Sequence, residues 1–378
     1  MTNKPNKRFL AVHGLLRLGL IFLLFAGIGQ ANAQDAIPEV VVDGLNNPSG
    51  VAIQPNTGHV FVSDSGAGRV VRVIDGKVED VITGFPTEGY GTNPTYKIGP
   101  LGLLFLNEKT LVVGGGGLPD GEDLIRVFKV PAVGEAAIQV SEKDSETTDK
   151  VEGPEIARLS LPSSGEGKDA VPGEGNFYGL ALGEGKLFVT CNGDDNKGWV
   201  SLAMVKSTGQ ITNLTGKIPN LTRLIATKEK TGVDAPVAAT ISPQGYLAIG
   251  QMGEVDNQPD SLLTFYSQNG TLLGAYKTGL NDITGLAYGP QHERLFALDF
   301  NWSNPRQGGL YKLVAIKDSE TKKDSETKCE AVLMSRLEKP TALAFTAKGD
   351  CYIALAGTNG SPDGKLILIR QLDIDPNE

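Results

Sequence analysis

The sequence predicts an all-β fold: a six-bladed β-propeller of four-stranded antiparallel blades, its ring closed by the strand that follows an N-terminal leader. Three observations predict it. A small residue followed by an apolar run recurs six times along the chain. Each copy is followed by a second and a third apolar run, and in most units by a weaker fourth. Glycine and proline number 48 and 21 in 378 residues, as frequent turns between short strands require.

The leader comes first. Lys4, Lys7, Arg8 and Arg17 surround the start of the apolar run LGLIFLLFAGI, and Ala31 and Ala33 form an A-x-A site. This is the pattern of a secretory signal peptide over residues 1–33. The run is short for a membrane span, and no cysteine follows the cut to accept a lipid. The expected product is exported, periplasmic or extracellular, monomeric, and without a membrane span. Cleavage removes four cations and takes the net charge from −9 to about −13. That balance argues against a nucleic-acid partner, which needs a basic face. Cys191, Cys329 and Cys351 are too few for a disulfide framework, allow at most one bridge, and have no haem or zinc spacing.

The six inner strands begin at PSGVAI (Pro48), PLGLLF (Pro100), FYGLAL (Phe177), PVAATI (Pro236), ITGLAY (Ile283) and PTALAF (Pro340). Second strands follow at Val60, Leu111, Leu187, Leu247, Leu295 and Cys351, and third strands at Arg69, Leu124, Trp199, Ser261, Gly309 and Lys365. KVEDVIT at Lys77 and QITNLTG at Gln210 read as fourth strands. The last unit lacks its own fourth strand, and EVVVDG from Glu39 supplies it. Four-stranded sheets repeated radially make a propeller, and closure removes the exposed edges of an open array. One ring over 34–373 with a tail at 374–378 is therefore expected.

In the first unit Pro48, Gly50, Ala52, Asp64, Gly68 and Arg69 follow one local signature, which resembles an NHL repeat: a P-x-G-apolar-A strand, a second strand ending in Asp, then a glycine turn and Arg. The other units keep the strand rhythm and lose most of that signature. The resemblance overlaps the wider superfamily of gluconolactonase-like and strictosidine-synthase-like propellers. It implies that loops from strand two to three, and from strand four to the next blade, form the binding face.

That face would carry Asp64, Tyr96, Tyr178, Asn192, Asp299 and Trp302 as ligand-contacting candidates, together with GGGGLPDGED at Gly114–Asp123. The glycine run lacks the helix start and the Lys-Ser/Thr of a phosphate loop. Its acids, Asp120, Glu122 and Asp123, would contribute to an acidic rim. The three KDSET copies, at Lys143, Lys317 and Lys323, fall in loops of the opposite face and read as solvated insertions.

His13 leaves with the leader, and His59 and His292 fall on the non-binding face, so histidine-dependent catalysis and a Ser-His-Asp triad have no candidate there. The resemblance implies a central divalent cation. Asn47, Asn176, Asp234 and Asp282, just before inner strands, are oxygen ligands of the type that suits calcium, although their register departs from the family's and such residues also cap turns. Catalytic residues are not assigned. The expected function is a binding module that presents its channel face to a protein, glycan or small molecule. The alternative is a calcium-dependent hydrolase or lactonase of the gluconolactonase-like or strictosidine-synthase-like type.

Overall fold

The structure, a computed structural model, describes residues 36–90, 95–140, 153–192, 197–206, 211, 220–255, 259–317, 327–358 and 361–373. The expected signal peptide, the tail at 374–378 and nearly all of the KDSET copies lie outside these residues.

Six four-stranded antiparallel blades form the ring. Blade one comprises Pro48–Ile53, Val60–Asp64, Arg69–Ile74 and Lys77–Thr83. Blade two comprises Pro100–Asn107, Thr110–Gly115, Leu124–Lys129 and Glu155–Ser160, and blade three Leu180–Leu182, Lys186–Cys191, Trp199–Met204 and Thr222–Ala226. Blade four runs through Pro236–Ile241, Leu247–Gln251, Leu262–Tyr266 and Leu272–Lys277. Blade five runs through Ile283–Tyr288, Leu295–Asp299, Gly309–Lys317 and Thr327–Arg336. Blade six joins Pro340–Phe345, Cys351–Leu355 and Gly364–Ile369 to the N-terminal strand Glu39–Leu45, which pairs Glu39 with Leu368 and Leu45 with Gly364.

The core is divided into wedges, one at each interface between neighbouring blades. At the closure, Val42, Leu45, Ala354 and Leu366 of blade six pack on Val51, Val60, Val62, Val71 and Val73 of blade one. Strands buried on both faces read as continuous apolar runs, which is why the second and third runs stand out in the sequence. Each such side chain contributes about 1.5–3 kcal/mol by leaving water.

The recurring small residue has a steric cause. A Cβ on Gly50 would lie 2.1 Å from the carbonyl oxygen of Leu101, and one on Gly102 2.2 Å from that of Tyr178. At these two positions adjacent inner strands approach too closely for any Cβ, whereas blades four and six accommodate Ala238 and Ala342.

Locally the structure departs from the simple repeat. The outer strand of blade three is Thr222–Ala226, not QITNLTG, of which only Ile211 is described, bridged to Val205. That strand is followed directly by the short helix Thr227–Thr231. The connection from blade one to two contains a hairpin, Glu88–Tyr90 with Tyr96–Ile98. Finally, Ile138–Gln139 adds a parallel fifth strand to blade one from the blade-two insertion. The buried Arg72 anchors that insertion, bonding Glu79 and the carbonyls of Pro131 and Ala132 at 3.0 Å. All three cysteines are buried free thiols, and burial pushes the Cys329 thiol up to about 12.

Candidate functional site

A recess of about 590 Å³, including its open mouth, lies where the loops of the expected binding face converge on the channel. Its wall is aromatic. Phe300 and Trp302, from the loop after the second strand of blade five, stack with centroids 5.1 Å apart, and Tyr96 from the extra hairpin meets Trp302 edge-on at 5.4 Å. Its floor consists of Ser49, Tyr178, Val237, Thr284 and Thr341, which also line the deeper channel. These are the residues that immediately precede the small residue in five of the six inner strands; the sixth, Leu101, is not in the lining. Asn47, Asn192, Ile98 and Met252 complete the lining, so among the described residues no charged side chain faces the space.

The hydroxyls of the floor also lock the ring. Thr341 Oγ1 donates to the Pro48 carbonyl at 2.7 Å, and Thr284 Oγ1 to the Pro340 carbonyl at 2.7 Å. Each bond joins one inner strand to the next blade, so floor geometry and ring closure are set together.

Of the six ligand-contacting candidates, Tyr96, Tyr178, Asn192 and Trp302 line the recess. Asp64 and Asp299 do not. Both end the second strand of their blade, are buried, and accept backbone N–H groups of the chain entering the inner strand. Asp64 takes Asn46 N at 2.6 Å and Arg69 Nε at 2.8 Å. Asp299 takes Asp282 N at 2.8 Å and Asn301 N at 3.2 Å. Burial raises the pKa of both above the ordinary carboxylate value, against the pull of these bonds. The Asp–Gly–Arg signature of blade one is thus a latch between strands.

Of the four candidate cation ligands, only Asn47 reaches the lining, and its Nδ2 donates to the Lys97 carbonyl at 3.0 Å. Asp234 is paired with Lys228 at 2.6 Å. Asp282 accepts the backbone N–H of Trp302 through Oδ2 and so braces the aromatic wall. Asn176 donates its backbone N–H to Asp123 at 3.0 Å, and its Oδ1 is buried without a hydrogen-bond partner. Among the described residues, no three His, Cys, Asp or Glu side chains could hold a metal. The side chains of Asn47, Asp234 and Asp282 thus each join separate segments of the chain.

The glycine-rich loop is explained by crowding. A Cβ on Gly114 would lie 2.0 Å from the Phe177 carbonyl oxygen, and one on Gly117 2.1 Å from that of Pro86. Asp123, at the loop's end, is buried and accepts Leu118 N and Asn176 N, each at 3.0 Å. Burial, with Glu88 and Asp120 nearby, pushes its pKa up to about 7. It is a latch inside the protein rather than part of an acidic rim.

The signal that sequence reasoning missed is the floor. Ser49, Thr284 and Thr341 share one repeat position, and that shared address was the available clue.

No protein-family model matches the chain, and no curated protein matches it. Solved structures do resemble it. The PQQ-bound aldose sugar dehydrogenase of Streptomyces coelicolor is 15% identical with a TM-score of 0.52, covering 88% of this chain and 98% of its own. The soluble aldose sugar dehydrogenase of Escherichia coli is 13% identical with a TM-score of 0.51, covering 88% and 98%. A gluconolactonase of Xanthomonas campestris is 13% identical with a TM-score of 0.50, covering 89% and 90%. These likenesses show the shared propeller fold. PQQ is a tricarboxylate, and among the described residues no Lys, Arg or His lines the recess to receive one, so the residues present do not fit it.

Proposed function

We propose that the chain binds a small, cyclic, hydroxyl-rich molecule, a sugar or sugar lactone, in the recess at the channel mouth. One observation carries this reading: the wall of Tyr96, Phe300 and Trp302 shares an uncharged lining with the floor hydroxyls and the amides of Asn47 and Asn192. A sugar ring has apolar C–H faces and polar edges, and a concave site with an apolar wall and a few placed polar groups matches both. The fold neighbours named for aldose sugars and for gluconolactone support the same ligand class. A module that docks a protein on this face has less support, because the feature there is a recess rather than a broad apolar patch.

Hydrolysis of a bound lactone is the second reading. It is favoured by the gluconolactonase fold neighbour and by the buried Asn176 Oδ1, which has no hydrogen-bond partner and lies two residues before Tyr178 of the floor.

The chain has two tryptophans, so a Trp199→Phe background lets Trp302 report alone. Titration with glucono-lactone and glucose should change its fluorescence, and Trp302→Ala should weaken calorimetric binding on the order of ten-fold. Lactone consumption is followed in parallel with calcium and with chelator. Failure of every neutral sugar and lactone to bind overturns the first reading. Binding without turnover in either condition overturns the second.

A further inference from the structure

The protons of the floor hydroxyls are already committed. Thr284 Oγ1 donates to Pro340 O, Thr341 Oγ1 to Pro48 O, and Ser49 Oγ to Asn47 O at 3.0 Å. A carbonyl oxygen can only accept, so each hydroxyl has used its single proton and keeps only lone pairs for a ligand. Asn47 repeats the pattern, since its Nδ2 faces the Lys97 carbonyl and its Oδ1 is the acceptor end. Blades five, six and one are consecutive in the ring, so these oxygens form one crescent. A ligand group that settles on it must donate hydrogen bonds, and a carboxylate or ketone oxygen there would meet lone pairs.

The aromatic wall is built by the loop of blade five and the hairpin that follows blade one, so it belongs to the same side of the recess. Ring faces attract cations. The carboxylates of Asp282 and Asp299 lie directly behind the Trp302 loop. Lys339 lies 5.7 Å over the Tyr96 ring, outside the lining, with its Nζ donating to the Gly357 carbonyl at 3.0 Å.

The geometry points to an amino sugar as the ligand, a cyclic polyol whose primary ammonium is seated on the Ser49–Thr284–Thr341 crescent. The inference rests on the proposed sugar site and narrows it. An ammonium supplies three donors and no acceptor, which a neutral hydroxyl cannot match.

The test is calorimetric titration of the chain with glucosamine, glucose, N-acetylglucosamine and gluconate. Glucosamine should bind on the order of ten-fold more tightly than glucose or N-acetylglucosamine, with gluconate weakest. Thr284→Val should abolish that preference, and Thr284→Ser, which keeps the acceptor, should retain it. Thermal melts of both variants separate loss of the acceptor from loss of the fold. Should Thr284→Val fail to fold, Ser49→Ala provides the same comparison. Glucose binding as tightly as glucosamine, or gluconate binding best, overturns the amino-sugar assignment and leaves the sugar site standing. Absence of binding by all four probes and by glucono-lactone overturns both.

Discussion

The backbone N–H of Trp302 is held by the buried carboxylate of Asp282, whose own backbone N–H is held by Asp299 at 2.8 Å. This relay fixes an aromatic wall that otherwise stands on a loop. Asp282→Ala removes the acceptor and leaves a part-buried N–H to find another partner, at a cost of about 1–3 kcal/mol. The expected outcome is a lower Tm, a changed Trp302 emission and weaker sugar binding. Asp282→Asn keeps one carbonyl acceptor and should fall between wild type and Ala on all three measurements.

Asp123 sets a pH dependence whose sign follows from burial. Its folded pKa is raised from 3.8 to about 7, so the folded state holds a proton that the unfolded chain has already released. The stability this provides is complete below pH 3.8 and declines as pH rises through about 7. The decline is at most about 4 kcal/mol. Urea melts at pH 4, 5.5 and 7 should show it in wild type, and it should be smaller in Asp123→Asn. A variant curve parallel to wild type overturns the assignment.

Much of this architecture was legible in the sequence because it repeats. The small residues, the doubly buried runs and the closing strand each obey a constraint that six blades share, so one reading serves all six. The site was legible only in part. Tyr96 and Trp302 could be placed on the right face by loop address, whereas Asp64, Asp234, Asp282 and Asp299 carry the same residue types as ligands and serve as junction latches. Composition alone does not separate a carboxylate that meets a ligand from one that meets a backbone N–H. The strand Ile138–Gln139 was illegible because two residues have no period.

That strand depends on Arg72, whose buried guanidinium bonds Glu79 and two carbonyls of the insertion. Arg72→Met removes these bonds while keeping the apolar stem. Leaving the two bonded carbonyls without a donor, beside a part-exposed Glu79, costs about 1–3 kcal/mol, and the effect should concentrate in residues 131–140. Hydrogen exchange should accelerate there and along the outer strand Lys77–Thr83. Sugar binding should be unchanged, because none of these residues lines the recess. Uniform acceleration across all blades would instead mean that the insertion is not a separate unit.

Gly114 and Gly117 press on two segments that lead into the recess lining. A methyl at Gly114 would strike the carbonyl of Phe177, which directly precedes Tyr178 of the floor. A methyl at Gly117 would strike Pro86, at the base of the hairpin that presents Tyr96. Neither obstacle is a flexible side-chain end, so backbone has to move, and overpacking of this kind costs about 1–3 kcal/mol. Gly114→Ala and Gly117→Ala should each lower Tm and weaken sugar binding. Only Gly117→Ala should alter the contact between Tyr96 and Trp302, which Trp302 fluorescence in the Trp199→Phe background reads directly. If either variant is as stable as wild type, the backbone contact assigned to that glycine is wrong.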